Sequence, residues 1–185
     1  MCKMFKRIIF TLILIFAINT SSSFAAYYVS GNKITYIGET EKFHCYIYDL
    51  DVNMVVRLTD FHKSGNWAAS IALEPKLERT RQGMITSMKK DVDSGSFDTM
   101  VLPVQDNKLW AMVFRFSYNK QENRMFMKDT YWINGYGEII AMTRFSAEEI
   151  KDGEYKEYWS IKDLADKHIH KRYQEEYERR NTVVR

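Results

Sequence analysis

The chain has little proline, glycine and cysteine: its 185 residues include two prolines, eight glycines and two cysteines. So few prolines and glycines exclude a collagen-like or low-complexity chain, and an aromatic content of 15% argues against intrinsic disorder. Two cysteines cannot hold together a disulfide-rich miniprotein. The composition therefore indicates a globular domain that is long enough to form one hydrophobic core.

The first residues have the pattern of a secretory signal peptide. Three basic residues come first, an apolar run covers 8–18, and small residues follow up to Ala26. An apolar helix of that length measures about 16 Å, which is short of the roughly 30 Å hydrocarbon core, so a membrane anchor is not favoured. We expect cleavage after Ala25, with the next bond as the alternative. This predicts a signal peptide at 1–25 and a single domain at 26–185, exported to the periplasm or the extracellular space.

The predicted signal peptide carries all of the excess positive charge. The whole sequence has 27 Lys and Arg against 24 Asp and Glu, and three of the basic residues lie in 1–25, which has no acidic residue. Without that segment the chain is formally neutral, so we expect no nucleic-acid partner. After cleavage of the signal peptide we also expect no stable membrane span. It would keep one cysteine, Cys45. A buried strand position explains this cysteine, and an intermolecular disulfide is the alternative.

Apolar and polar residues alternate along most of the remaining chain, which is the pattern of β-strands separated by short polar turns. The predicted strands cover 27–29, 33–37, 43–48, 52–58, 67–73, 97–104, 110–117, 124–133 and 138–145. Because the turns are short and parallel strands need long crossovers, we expect an antiparallel meander sheet.

Two segments have helical spacing instead. Apolar residues recur at helical intervals over 75–91, where the first residue, a proline, has no N–H to leave unsatisfied. A second apolar stripe follows Ser160 and Asp163, which form a capping pattern, and extends to Tyr177 or Arg180. The sequence thus predicts one α+β domain, in which an antiparallel meander sheet packs against an internal helix and a C-terminal helix.

No motif in the sequence points to a metal or a cofactor. His168 and His170 lie two residues apart on the predicted helix and so face different sides, whereas helical metal pairs favour a spacing of three or four. The acidic turn at 49–51 lacks the glycine and the terminal glutamate of a calcium loop. We therefore predict no metal ligand, no cofactor and no catalytic residue.

A secreted, hydrolase-like enzyme is the alternative. Its site would have to be built from dispersed residues, for which His44, His62 and Asp60 are the candidates. No serine lies in a nucleophile motif such as G-x-S-x-G. Cys45 cannot pair with its neighbour His44, because adjacent residues of a strand point to opposite faces.

Aromatic residues crowd the first strands and the last hairpin. Tyr and Trp combine a large contact area with a polar group, which favours recognition surfaces. We therefore predict that Tyr46, Tyr48, Trp132 and Tyr136 bind a ligand, with a protein or peptide as the partner and self-association as a further option. The alternative is that sheets favour aromatic residues in any case and that these side chains pack under the helices. The predicted function is a non-catalytic binding or interaction module of the cell envelope.

The two ends of the predicted domain resemble a known family. The start, 27–34, followed by a second strand, looks like the start of small secreted bacterial domains similar to surface-adhesin protein E. The segment 124–140, with Asp129 and Tyr131, followed by a tryptophan and a closing helix, resembles their C-terminal half. The resemblance implies a sheet packed on a helix and, as in the characterised adhesins, binding of host matrix proteins. It transfers no functional residue, and the cysteine pair that members often carry is absent here.

Overall fold

The computed structural model describes residues 33–49, 65–95, 98–144, 146–151 and 156–182. The described strands are β1 (Lys33–Glu39), β2 (Phe43–Asp49), β3 (Trp67–Pro75), β4 (Asp98–Val101), β5 (Ala111–Asn119), β6 (Arg124–Ile133), β7 (Ile139–Arg144) and β8 (Glu148–Ile150). The described helices are α1 (Glu78–Ser94), between β3 and β4, and α2 (Lys156–Thr182), after β8. The predicted α+β fold, with an antiparallel sheet, an internal helix and a C-terminal helix, is confirmed.

All described strands belong to one antiparallel sheet, in the order β1-β2-β3-β5-β6-β7-β4. β7 and β8 both pair with β6, on successive stretches of that strand. The chain therefore forms two meanders, β1-β2-β3 and β5-β6-β7, and α1 connects β3 to β4 at the far end of the order. β1, β4 and β8 each pair with a single strand among the residues that the structure describes and are therefore edge strands.

Alternation along the strands gives the sheet two different faces, because cross-strand partners point to the same side. Both helices pack on one side, which we call the helix-covered face. There α2 buries Ile161, Ala165 and Ile169 against strand residues such as Ile71 and Phe114. The other side, which we call the opposite face, carries a row of register partners across seven strands. Its members are Tyr36, Tyr46, Ala72, Val113, Tyr131, Met142 and Met100.

The internal helix begins later than predicted. Pro75 is the last residue of β3, where it is the register partner of Phe43, and α1 begins at Glu78. The pairing of β3 with β5 ends at Leu73, so the missing N–H of the proline falls beyond the end of that ladder. The prediction that Pro75 opens the helix was wrong, because a proline suits the end of a strand as well as the first turn of a helix.

The C-terminal helix begins earlier than predicted. α2 starts at Lys156, and Ser160 lies inside it, where the serine hydroxyl donates to the Lys156 carbonyl oxygen at 3.2 Å. The predicted cap formed by Ser160 and Asp163 was therefore wrong. A hydrogen bond to the carbonyl four residues earlier is the other local option that a serine has.

The observed bounds of the strands agree better with the sequence prediction than the bounds of the helices do. β6 has the predicted bounds, and the other predicted strands within the described residues differ from the observed ones by a few residues at their ends. β8 was not predicted, since a strand of three residues is too short to show a period. The predicted signal peptide and the predicted strands at 27–29 and 52–58 lie outside the described residues.

Candidate functional site

The structure separates the four residues that the sequence nominated for ligand binding. Tyr46 and Tyr48 lie on β2, and both are half-buried on the opposite face. Trp132 lies on β6 on the helix-covered face and is 1% exposed. Tyr136 lies in the turn between β6 and β7 and is 76% exposed. Tyr46 and Tyr48 therefore share a surface with each other but not with Trp132.

Tyr46 is the centre of a group of three aromatic side chains. Its ring lies 5.4 Å from the ring of Tyr36, edge to face, and 5.5 Å from the ring of Trp110. Tyr36 is 52% exposed, and Trp110 is half-buried. Aromatic pairs at such distances stabilise one another beyond the area that they bury. We call Tyr36, Tyr46 and Trp110 the aromatic row.

The phenol groups of this surface are hydrogen-bond donors rather than bases. Burial raises the pKa of Tyr46 to about 12, and the hydrogen bond that its hydroxyl donates to Glu74, at 2.7 Å, acts in the same direction. Burial also raises the pKa of Tyr48 to about 12. Both side chains are therefore protonated at neutral pH, which suits recognition and does not suit proton abstraction.

The aromatic row reaches the edge of the sheet at β1. Ile34 and Tyr36 lie two residues apart on this strand and so point to the same side, and 40% of Ile34 is exposed. No strand among the described residues pairs with the outer edge of β1. An edge strand with exposed apolar side chains is a surface to which a further strand can add.

A second candidate site lies on the helix-covered face, between the two helices. The β8-side pocket has a volume of about 220 Å³, and the β2-side pocket has a volume of about 700 Å³. Ser87 of α1, Met112 of β5 and Tyr158 of α2 line both pockets. The two pockets are therefore neighbours, and we call them together the interhelical groove.

The floor of the β8-side pocket contains more polar groups than the centre of a sheet normally does. Thr130 and Thr143 are cross-strand partners, line this pocket and are both buried. The hydroxyl oxygens of Thr143 and Thr99 are 3.0 Å apart. Trp132 lines the same pocket, and its indole N–H has no hydrogen-bond acceptor within the described part of the chain. Such a buried donor is uncommon, because most buried polar groups are satisfied.

The residues proposed for an enzyme do not assemble into a site that the structure describes. His62 and Asp60 lie outside the described residues, so the hydrolase-like alternative stays a prediction. The Nδ1 atom of His44 lies 3.3 Å from a Glu39 carboxylate oxygen, and the Nζ atom of Lys76 lies 3.1 Å from that same oxygen. The Glu39 carboxylate therefore forms an ion pair with Lys76 and also contacts His44.

Cys45 is fully buried on the helix-covered face. Burial, and after it the nearby Glu157 carboxylate, raises the pKa of this thiol to about 12. A thiol that is protonated and buried is neither a nucleophile nor accessible to another chain. Within the described ranges, no group of three or more His, Cys, Asp or Glu side chains could hold a metal ion.

Sequence reasoning missed most residues of both candidate sites. It noted the tyrosines of the first strands but did not nominate Tyr36 or Trp110, whose contacts depend on which strands are neighbours. Of the residues lining the interhelical groove it nominated Trp132 alone, and for its aromatic ring. A usable signal was present in Thr130 and Thr143, two polar residues at buried positions of the neighbouring strands β6 and β7.

The turn that carries Tyr136 is held by a buried asparagine. The side-chain oxygen of Asn134 accepts hydrogen bonds from the backbone N–H groups of Tyr136 and Glu138, each at 3.0 Å. Its amide group donates to the Asp106 carbonyl oxygen at 2.8 Å. Asn134 therefore fixes the backbone of the turn, and the Tyr136 side chain is exposed on it.

No family model matches the chain, and no curated protein and no solved structure matches it. The resemblance to surface-adhesin protein E domains therefore stays a prediction.

Proposed function

We propose that the chain is an exported, non-catalytic binding module of the cell envelope, and that it holds an extended peptide segment of a protein partner. One observation carries this proposal. The aromatic row ends on the edge strand β1, where Ile34 and Tyr36 are exposed on the same side. A strand added at this edge would bring its own alternate side chains next to Tyr36 and Tyr46.

The edge of the sheet supports an extended peptide as the occupant. Edge strands of natural proteins are commonly blunted by charged residues, proline or bulges, because their free N–H and C=O groups otherwise attract other strands. β1 has a register shift only past Tyr36, so the part that carries Ile34 and Tyr36 keeps regular pairing with β2. Main-chain hydrogen bonds to this edge would give affinity, and contacts with the tyrosine rings would give specificity.

Export is the second part of the proposal. It is supported by the basic start, the short apolar run and the small residues of 1–25. Among the described helices, none is long and apolar enough to cross a membrane. The measurement is the intact mass of the chain recovered from the envelope or the medium of the source organism. We expect a chain that begins at Ala26, and recovery of the uncut chain from the cytoplasm would contradict export.

The peptide surface can be tested by site-specific photo-crosslinking. Tyr36 is replaced by the photoreactive residue p-benzoylphenylalanine, the protein is exposed to light in an extract of the source organism's envelope, and the adducts are identified by mass spectrometry. Tyr177 on α2 is the matched control, since it is 54% exposed and lies on a different surface. We expect one recurrent partner, joined through a single short segment, at position 36 and not at position 177.

Three outcomes would count against this proposal. Adducts between two copies of the chain at position 36 would show that this surface binds a second copy and not a peptide of another protein. Equal adducts at positions 36 and 177 would indicate nonspecific contact. The absence of any adduct at position 36, with adducts at position 177, would place the binding surface elsewhere.

A further inference from the structure

We infer that Glu74 is a positioning residue for the proposed peptide surface: through Tyr46 it fixes the ring of Tyr36 at the edge of the sheet. This inference rests on the proposed function, because the orientation of Tyr36 affects recognition only if a peptide adds at β1. Glu74 lies on β3, two strands away from β1, which is about 10 Å at the usual spacing. Its side chain therefore does not contact a peptide at that edge, and its effect passes through the side chains between them.

The exposed ring of Tyr36 contacts rings of the neighbouring strand. Tyr36 is the register partner of Tyr46, and the two rings meet edge to face with their centres 5.4 Å apart. The ring of His44, on the same strand as Tyr46, lies 6.3 Å from the Tyr36 ring. An edge-to-face pair favours one orientation of the two rings relative to each other. The orientation of the Tyr36 ring therefore depends on where the Tyr46 ring lies.

Contacts at both ends of the side chain set the position of the Tyr46 ring. Its register partner on β3 is Ala72, a small residue over which a large ring can lie. Glu74 follows two residues along β3 on the same face and accepts a hydrogen bond from the Tyr46 hydroxyl at 2.7 Å. Aromatic side chains reach such diagonal neighbours across two strands. The Trp110 ring, 5.5 Å away, is a further neighbour of the Tyr46 ring.

The hydrogen bond between Tyr46 and Glu74 is charge-assisted, which makes it stronger than a bond between two neutral groups. Burial is the main cause that raises the pKa of Tyr46 to about 12, and the hydrogen bond to Glu74 adds to this rise. Lys76, two residues after Glu74, is held by a Glu39 carboxylate oxygen at 3.1 Å and by the Thr40 carbonyl oxygen at 2.7 Å. Among the described residues, no cation forms an ion pair with Glu74 that would compete with Tyr46.

An ordered Tyr36 ring favours binding of the peptide. An exposed side chain loses rotamer freedom when a partner orders it, and this loss opposes association. Here part of the ordering takes place when the chain folds, because Tyr36 packs against a ring that Glu74 holds. Removal of the acceptor should release the Tyr46 ring and with it the Tyr36 ring, while β1 stays paired with β2. Glu74 thus raises the affinity for the peptide without being in contact with it.

The first measurement needs no partner. 3-Fluorotyrosine is introduced at position 36 alone, and its ¹⁹F resonance is recorded in the full chain, in Glu74→Gln and in Glu74→Ala. Glutamine keeps an oxygen that accepts the Tyr46 hydrogen bond, whereas alanine has none. We expect Glu74→Gln to leave the chemical shift nearly unchanged and Glu74→Ala to move it towards that of free 3-fluorotyrosine.

The matched control is Glu148→Ala on β8. Glu148 is an exposed glutamate that lies away from the aromatic row, so its removal changes the net charge by the same amount and should not move the ¹⁹F resonance. All spectra are recorded well below the unfolding temperature of each variant. A change in the resonance therefore reports on the folded chain and not on its loss of stability.

The second measurement is binding. p-Benzoylphenylalanine replaces Ile34, which leaves the aromatic row intact, and the adduct yield is measured in dilute envelope extract, where the yield follows the affinity. Glu74→Ala and Tyr46→Phe should each reduce the yield about fivefold, which is the effect of one hydrogen bond. Glu74→Gln should keep it within about twofold of the unchanged chain. The double variant Tyr46→Phe and Glu74→Ala should lose no more than either single variant, since both remove the same bond.

The outcomes separate a failure of the inference from a failure of the proposed function. If positions 34 and 36 give no adduct while Glu74 is in place, the peptide surface itself is wrong, and the positioning role falls with it. If adducts form but Glu74→Ala leaves either the ¹⁹F resonance or the adduct yield unchanged, the peptide surface stands and the positioning role is overturned. An equal loss of yield in Glu74→Gln and Glu74→Ala would also overturn it, because glutamine keeps the acceptor.

Discussion

The two faces of the sheet differ in chemistry although the same strands build both. The helix-covered face has fully apolar side chains at its centre, such as Ile71 and Leu73, which pack against α2. The opposite face also has a buried apolar cluster, but tyrosines pack against this cluster, and Tyr46 donates to Glu74. Residues that are neighbours in sequence, such as Ile47 and Tyr48, thus belong to different environments. Alternate residues of one strand therefore contribute to two surfaces with different environments.

The largest effect should come from removing a side chain of the helix-covered face. Ile71 is fully buried at the centre of the larger cluster, so Ile71→Ala should reduce the free energy of unfolding by about 2–5 kcal/mol. Tyr36→Ser on the exposed edge should change it by less than about 0.5 kcal/mol. Urea denaturation followed by circular dichroism measures both. Similar losses for the two variants would contradict the assignment of Tyr36 to an exposed edge.

A smaller loss should follow a substitution where α2 meets β1. Gly38 has a φ of +136°, and a Cβ atom there would lie 2.7 Å from a Leu164 methyl carbon. Gly38→Ala should therefore cost about 1–3 kcal/mol, from backbone strain and crowding. In a double-mutant cycle, Gly38→Ala combined with Leu164→Ala should cost less than the sum of the single changes. Strict additivity of the two changes in free energy would show that the cost of Gly38→Ala does not come from contact with Leu164.

The sequence predicted the sheet and its alternation better than the helix starts or the sites. Alternation is a local property, so β6 and the burial of Cys45 could be read directly from the pattern. The bounds of α1 depended on whether Pro75 continued a strand, which is decided by its pairing with Phe43. The candidate sites depended on strand order and on helix placement, and no local pattern encodes either. Trp132 illustrates this, because its ring suggested a recognition surface while its neighbours placed it under α1.

Alkaline pH should reduce stability through Cys45. Its thiol has a pKa of 9.0 when exposed and about 12 in the fold, so the unfolded chain loses this proton first as the pH rises. The stabilisation is complete below pH 9 and is lost towards pH 12, with a slope of at most about 1.4 kcal/mol per pH unit. Cys45→Ala should flatten this part of a stability–pH curve obtained from urea unfolding. If the slope is unchanged in Cys45→Ala, other groups cause the loss of stability at alkaline pH. Tyr46 and Tyr48 are then the first groups to test, by substitution with phenylalanine.

The smallest effect should come from Tyr136, which the sequence nominated for ligand binding. Its side chain is exposed in a turn that Asn134 holds through backbone groups, so Tyr136→Ser should change the free energy of unfolding by less than about 0.5 kcal/mol. It should also leave the partner recovered at position 36 unchanged. Loss of that partner in Tyr136→Ser would extend the binding surface to the β6–β7 turn.

Hydrogen–deuterium exchange of the full chain, free and with the partner recovered by crosslinking, tests the central claim most directly. The proposed peptide adds to the edge of β1, and β4 at the other end of the sheet is the internal control. We predict that the partner slows amide exchange in Lys33–Glu39 and leaves exchange in Asp98–Val101 unchanged. Slower exchange in Asp98–Val101 or in the helices, with no change in Lys33–Glu39, would contradict the account.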